Sequence, residues 1–358
     1  MGVVRGASVA RHFGDPPTEW DAATTAVAVR DRSHRLRWTV TGRQPSAMLL
    51  GVVTGRMPEP WADADTGVQW GRAEYSAVLT AKGRTVSDLR LWRDGGEDGE
   101  AAPLLLDVPV AGGEALAAHF RRFLPPRLAR VTDVSESTGM LTIVGPEAAA
   151  WVAREATGLR LERSDLEQLA EGDLLAIDLG GERALVVVRS GEVSEAAWDL
   201  VAATDDIEAL RRRVDASEAT WIGSGVWEAL RLEAGRPAFG AELTEDVIPV
   251  EAGIHGRAID YDKGCYTGQE VIIRIRDRGR VNRHLRRLRL SDGPLPAPGS
   301  ELWNESGDKA VGALTSVATS PRRGALALGY VRREVEPPGP VRVGAADGPI
   351  AHVESLDG

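Results

Sequence analysis

Strand and helix patterns alternate through most of this chain and give way near its end to short strands alone, which predicts an α+β fold closed by a small C-terminal β-barrel. Three observations carry that prediction. Residues 127–214 read strand, strand, helix, strand, strand, helix, the order of a ferredoxin-like α+β subdomain. From residue 301 to 343 short strands recur between Gly/Pro turns, as in a small barrel. The length of 358 residues exceeds one ordinary core, so two or three domains or subdomains are expected.

Taken in order, residues 1–20, with Gly14-Asp15-Pro16-Pro17, read as a loose arm. Residues 26–40 run apolar, turn, apolar, with Arg30-Asp31-Arg32-Ser33-His34 as the turn and Leu36, Trp38 and Val40 on one strand face. A short helix follows over 45–53, with Met48, Leu49 and Val52 inward. Tyr75, Ala77 and Leu79 alternate into the turn Ala81-Lys82-Gly83-Arg84, and Val86, Leu89 and Leu91 continue beyond it, which predicts a β-hairpin. A strand over 104–108 and a helix over 114–124, stopped by Pro125-Pro126, complete a first part spanning 21–126.

The middle part, 127–214, comprises strands over 129–135 and 140–144, a helix over 146–156, strands over 174–179 and 184–188, and a helix over 194–202. A return segment, 215–283, opens with a helix over 223–232 that ends at Gly235, where Pro237 prevents it from resuming. Arg231 and Glu233 lie two apart on that helix and project from different sides, either toward a cavity or into a structural ion pair. A short strand over 258–262 then delivers the glycine-flanked loop Lys263-Gly264-Cys265-Tyr266-Thr267-Gly268-Gln269-Glu270.

Arginines crowd the next twenty residues: Arg274, Arg276, Arg278 and Arg280, then four more up to Arg289. Ile273, Ile275, Leu288 and Leu290 alternate with them, predicting strands with one basic face. That face is either a local polyanion site, for RNA or a phosphate-bearing partner, or a solvated sheet. The final part, 284–358, passes the Pro-rich edge at 294–299 and enters the barrel.

Composition limits the function. The formal net charge of −10 argues against general nucleic-acid binding, leaving Arg274, Arg276, Arg278 and Arg280 as the place where direct contact would occur. No apolar run approaches the roughly 20 residues that span a bilayer, and the N-terminus lacks a basic-then-apolar leader, so no membrane role is expected. One cysteine forms no internal disulfide and fits a reducing compartment, so a cytoplasmic location is expected. The six histidines are scattered, no His or Cys pair has zinc-ligand spacing, and no nucleotide-binding or nucleophile-elbow motif is present.

The lone Cys265 therefore serves through reactivity, through metal or partner contact, or through packing. Lys263, two residues away, favours a thiolate by its charge, and Glu270 is placed to pair with Lys263 instead. Lys-Gly-Cys-Tyr-Thr-Gly-Gln-Glu resembles the signature of the YgfZ family, folate-binding relatives of the glycine-cleavage T-protein (aminomethyltransferase). Leu230-Arg231-Leu232-Glu233-Ala234-Gly235-Arg236-Pro237, followed by Phe239-Gly240 and Glu242-Leu243, is similar to the segment both families carry shortly before it. Weaker similarity covers residues 31–343, including Val311-Gly312-Ala313-Leu314-Thr315-Ser316 in the barrel.

The resemblance implies a GcvT/YgfZ-like three-part folate-binding fold around a central cleft. It implies a protein that binds tetrahydrofolate or a folate derivative and supports assembly or repair of iron–sulfur clusters, with client proteins such as radical-SAM tRNA-modifying enzymes. Cys265 is then the working residue at the cleft mouth, Lys263 tunes it, and Arg231, Glu233, Tyr266, Gln269 and Glu270 contact the folate. The same resemblance implies an alternative, a folate-dependent aminomethyltransferase or demethylase in which Asp88 is the acid/base group. The T-protein carries a paired Asp-Asp where this chain has Ser87-Asp88, and its Gly-Tyr-Thr-Gly-Glu stretch has no counterpart here. A third reading is an RNA-binding module using the arginine face, a face that the glutamate tail of folate would also satisfy.

Overall fold

The computed structural model describes residues 2–4, 6–63, 67–95, 99–158, 160–181 and 183–356. Among them, strands form two large sheets and a closed barrel, besides a short hairpin of Gly2–Val4 and Ala7–Val9. The first sheet has five antiparallel strands in the order Arg130–Asp133, Leu36–Thr41, Leu104–Val108, Thr85–Arg93, Glu74–Leu79. Its outer face packs Val40, Leu89, Leu91 and Leu106 under the helix Val110–Phe123, which contributes Leu116 and Phe120.

The second sheet has eight strands. Its centre is Thr138–Val144, Ala197–Ala203, Arg183–Ser190 and Asp173–Gly180; Ala28–Asp31 and Thr220–Trp221 extend one side, Val68–Arg72 and Ala62–Asp63 the other. Leu141, Ile143, Leu200 and Val187 face outward onto Trp151, Ile207 and Leu210. The inner faces of the two sheets meet in a third core, where Trp92 and Leu105 oppose Met140, Leu174, Val188 and Val201. Side chains alternate along a strand, so Asp88, Arg90 and Trp92 all point to this interface. Trp92 fills it, Arg90 spans it, and Asp88 lies at its open end.

The barrel runs Arg283–Arg289, Gly324–Arg332, Ala310–Ser320, Glu301–Trp303, Gly339–Val343, Ile350–Glu354 and closes back on its first strand, the architecture expected from the short strands. The helix Ser224–Glu233 docks it to the rest of the molecule and ends, as expected, at Gly235 with φ of +64°. Ahead of the first sheet, Asp15 caps the helix Pro16–Thr25, whose Trp20 is buried.

Four elements differ from expectation. Residues 1–20, expected as a loose arm, hold the paired strands Gly2–Val4 and Ala7–Val9 and the start of the helix Pro16–Thr25, tied down because Trp20 is buried and Glu19 accepts from the Gly223 amide. Residues 194–202 were expected to be helical, but Ala197–Ala203 is a central strand and the helix Thr204–Asp215 follows it. Ala197, Trp198, Leu200 and Val201 are buried on both faces, so the run lacks the alternation that marks a half-exposed strand. Residues 258–262 form no strand; a short helix, His255–Ala258, precedes them. The arginine-rich run begins as the helix Gln269–Arg278, not a strand, because Gly268 turns the chain at φ of +84° and Val271, Ile272 and Ile275 supply a helical inner face. Arg274, Arg276 and Arg280 are exposed, while the Arg278 side chain lies outside the described set. The arginines therefore divide between a helix and a barrel strand and share no single sheet face.

Candidate functional site

Where the two sheets part, a cavity of about 330 Å³ opens, walled by the hairpin strands, the 30–35 turn, the 171–172 and 189–192 loops, and the segment after helix Ser224–Glu233. That volume lies in the range of small-molecule sites. Nine arginines and four carboxylates line it, so its wall is rich in guanidinium donors suited to an anionic group. Apolar walls come from Leu89, Val110, Trp227 and Phe239.

Asp88 is the group the surroundings leave poised for chemistry. Tyr75 pairs with Arg90 across the hairpin and so stands diagonal to Asp88; its hydroxyl donates to Asp88 Oδ2 at 2.9 Å. The other oxygen, Oδ1, is buried and has no hydrogen-bond partner among the described residues. Burial raises the Asp88 pKa, opposed by the Arg35 charge and by the Tyr75 bond. Burial, then the Asp88 charge, pushes the Tyr75 hydroxyl well above its ordinary range, so it stays a donor. A carboxylate with one oxygen anchored and the other desolvated and free can take a proton or hold a cationic amine.

Behind it lies a network of buried charges. Arg90 Nη2 donates to Asp107 at 2.6 Å and Arg90 Nη1 to Asp199 at 2.5 Å, tying one sheet to the other. Arg35 also pairs with Asp107 at 2.6 Å, and Arg32 with Glu192 at 2.6 Å. Burial opposes ionisation of Asp107, but Arg35 and Arg90 outweigh it and hold the carboxylate well below its usual range. His34, beside three arginines, is lowered to about 3, by burial first and then by Arg32, Arg30 and Arg35, and so is neutral at physiological pH. Arg30 and Arg32 both lie over the Trp227 ring, 5.2 and 4.8 Å from its centroid.

The residues singled out in the sequence fall into two groups. Asp88 and Arg231 line the cavity. Arg231 is also buried in ion pairs with Glu228 at 2.7 Å and Glu242 at 2.8 Å, and it donates to Ser316 of the barrel at 2.9 Å. Glu233 is not among the cavity-lining residues; it pairs with Arg322 and accepts from Ser320, joining its helix to the barrel.

The residues of 263–270 lie outside the central cavity lining as well. Cys265 is exposed. The ammonium of Lys263 donates to the carbonyls of Val53 and Gly55 at 2.7 and 2.8 Å, and burial lowers its pKa to about 8. Tyr266 is buried in a core cluster, with Lys263 Nζ 5.5 Å from its ring centroid, and burial raises its pKa to about 12. Thr267 N donates to Gly51 O. This stretch therefore locks onto the 51–55 turn, with Gln269 and exposed Glu270 opening the helix after it.

Tyr75, His34, Glu171, Glu192, Arg236 and Arg257 also line the cavity, and of these Arg236 alone falls in a stretch singled out in the sequence, residues 230–237. The one available signal was the charge density of Arg30-Asp31-Arg32-Ser33-His34, which reads as a plain turn. Among the described residues no group of three or more His, Cys, Asp or Glu side chains could hold a metal ion, and no helix is long and apolar enough to cross a membrane.

Residues 9–263 match the family model of the GCVT N-terminal domain. The chain is 31% identical over 326 residues to the aminomethyltransferase of Thermus thermophilus, covering 90% of this chain and 84% of that one. It is 28% identical over 349 residues to the aminomethyltransferase of Corynebacterium jeikeium, covering 91% and 84%. The crystal structure of glycine cleavage system aminomethyltransferase T from Bartonella henselae shares the fold, with a TM-score of 0.81 over 99% of this chain and 92% of that one, at 20% identity. With a family model spanning most of its length and aminomethyltransferases matching nearly end to end, the chain belongs to the GCVT N-terminal domain family.

Proposed function

We propose that the protein is a folate-dependent enzyme that moves a one-carbon unit from an amine to tetrahydrofolate, with Asp88 as its acid/base group. The observation that carries this reading is Asp88 on the wall of an arginine-lined cavity, its Oδ1 buried without a hydrogen-bond partner among the described residues while Tyr75 anchors the other oxygen. The curated relatives described above are named aminomethyltransferases, which supports the same reading.

The cavity fits a folate in kind. Trp227, Phe239 and Leu89 suit a flat ring, and the arginine excess suits an anionic tail. Tetrahydrofolate would supply the nucleophilic nitrogen that accepts the one-carbon unit. Arg32, Arg35 and Arg90 are held by Glu192, Asp107 and Asp199, which fixes the wall of the site around Asp88. Asp88, ionised above its raised pKa, stabilises the ammonium of the donor; as the carbon joins the two folate nitrogens, ammonia and the donor thiol leave, one folate N–H proton goes to the thiol and the other to Oδ1, while Tyr75 keeps the carboxylate aligned.

The test is formation of methylenetetrahydrofolate by the purified protein from tetrahydrofolate and aminomethyl-dihydrolipoamide. Turnover above the uncatalysed background is expected; none at any donor concentration would refute the reading.

The exposed thiol of Cys265 favours a second reading, the YgfZ-like one, in which the protein supports iron–sulfur enzymes rather than turning over a substrate. On that reading Cys265→Ala abolishes support of a radical-SAM enzyme in cells while folate binding persists. On the first, Cys265→Ala leaves methylenetetrahydrofolate formation unchanged.

A further inference from the structure

Arg236 and Arg257 converge on one carboxylate at the mouth of the central cavity. Glu171 Oε2 accepts from Arg236 Nη2 at 2.9 Å, and Glu171 Oε1 accepts from Arg257 Nη2. The place is a junction. Arg236 borders the central cavity and two neighbouring ones, Arg257 borders the central cavity, the groove along 55–62 and the pocket beside 252–254, and Glu171 borders the central cavity and the pocket beside 193–196.

The pairing leaves part of the site unused. Arg257 Nε is buried with no hydrogen-bond partner among the described residues. The two guanidiniums are close enough that, after burial, the Arg257 charge is the next cause lowering the Arg236 pKa. Two cations therefore share one half-exposed carboxylate, with a donor left over. Arg257 also stacks on the Tyr75 ring at 4.7 Å, and Tyr75 holds Asp88, so the junction lies one side chain away from the reacting end of the cavity.

We propose that Arg236 and Arg257 form a carboxylate-binding site at the cavity mouth, that Glu171 fills it from within the chain, and that a ligand carboxylate displaces Glu171 when it binds. The inference rests on the folate reading above and deepens it: a ligand with its ring system beside Asp88 presents its anionic end at this mouth. Planar guanidiniums suit the exchange, because each can give two parallel bonds to an incoming carboxylate, including the donor Nε that Glu171 leaves idle. Glu171 then lowers affinity for tailed ligands and excludes untailed ones from the arginine pair.

The experiment compares tetrahydrofolate with tetrahydropteroyl amide, in which a neutral amide replaces the glutamate so that no carboxylate remains, by equilibrium quenching of tryptophan fluorescence. The wild-type protein should bind tetrahydrofolate roughly tenfold or more tightly than the amide, the scale of charge-assisted bonds to a carboxylate. Arg236→Gln with Arg257→Gln should bind the two alike, at the wild-type affinity for the amide. Glu171→Gln, which keeps both arginines, should tighten tetrahydrofolate severalfold and leave binding of the amide unchanged; this variant decides the question if the double variant fails to fold. Equal affinity for the two ligands in the wild-type protein, discrimination that survives loss of both arginines, or no gain in Glu171→Gln would each overturn the site. Binding of neither ligand to the wild-type protein refutes the folate reading itself, and this inference with it.

Discussion

Glu242 tests how the barrel is held to the cavity. Its carboxylate is fully buried and accepts four hydrogen bonds: Oε2 from Arg231 Nη1 at 2.8 Å and from the Ala238 amide at 3.0 Å, Oε1 from Thr315 at 2.8 Å and from Ser316 at 2.6 Å. Burial works against a charged Arg231, yet Glu228 and Glu242 hold its proton more tightly than in a free guanidinium. Glu242→Ala removes every one of these acceptors and leaves Arg231 buried with Glu228, so a loss of about 3–5 kcal/mol is expected. Glu242→Gln keeps the shape. Its amide oxygen still accepts from Arg231 and Ala238, and its NH₂ faces two hydroxyls that can turn to accept, Thr315 then donating to the Leu328 carbonyl at 3.0 Å. Only the charge is lost, so about 1–2 kcal/mol is expected. Urea unfolding followed by tryptophan fluorescence reads both as a lower midpoint at constant slope. An alanine variant within about 1 kcal/mol of wild type, or a glutamine variant as damaged as alanine, would refute the reasoning.

Three further outcomes follow from the same physics. Gly268→Ala puts a Cβ 2.5 Å from the Thr80 carbonyl at φ of +84°, and a loss of about 2 kcal/mol is expected in the same unfolding assay. Arg90→Met leaves Asp199 with Thr142 and the longer Arg32 contact at 3.5 Å and removes one of two cations from Asp107, for about 3–5 kcal/mol, and adding Asp199→Asn should recover part of it. Lys263 has its folded pKa lowered to about 8 from 10.5, so between those values the unfolded chain holds a proton that the folded chain has released. Wild-type stability gains from this group as pH rises through that window, and the difference between wild type and Lys263→Met should grow with it.

Local sequence patterns predict the hairpin of Glu74–Leu79 and Thr85–Arg93, the helix ended by Gly235 and the barrel, because each is set by neighbours close in the chain. Asp88 was legible for the same reason, as a carboxylate just past a tight turn. Its partner was less so: Tyr75 reads as a strand aromatic, and its diagonal contact depends on register across the hairpin. Glu171 and Arg257 stand 86 residues apart and meet only in three dimensions, which one sequence does not reveal. The 263–270 stretch drew attention for its cysteine, yet Lys263, Tyr266 and Gly268 serve the local fold by gripping the 51–55 turn and starting a helix. Residues 194–202 read as a helix because both faces of the strand Ala197–Ala203 are covered and no alternation shows, and Ile-Arg-Ile-Arg over four residues is too short to separate strand from helix.

The most direct measurement is the rate of methylenetetrahydrofolate formation in Asp88→Asn against wild type, with tetrahydrofolate affinity measured in parallel. Asparagine can still accept from Tyr75 but takes no proton, so kcat should fall about 10²–10⁴-fold while affinity stays nearly unchanged. Undiminished turnover in Asp88→Asn would contradict the assignment of the free carboxylate oxygen as the working group.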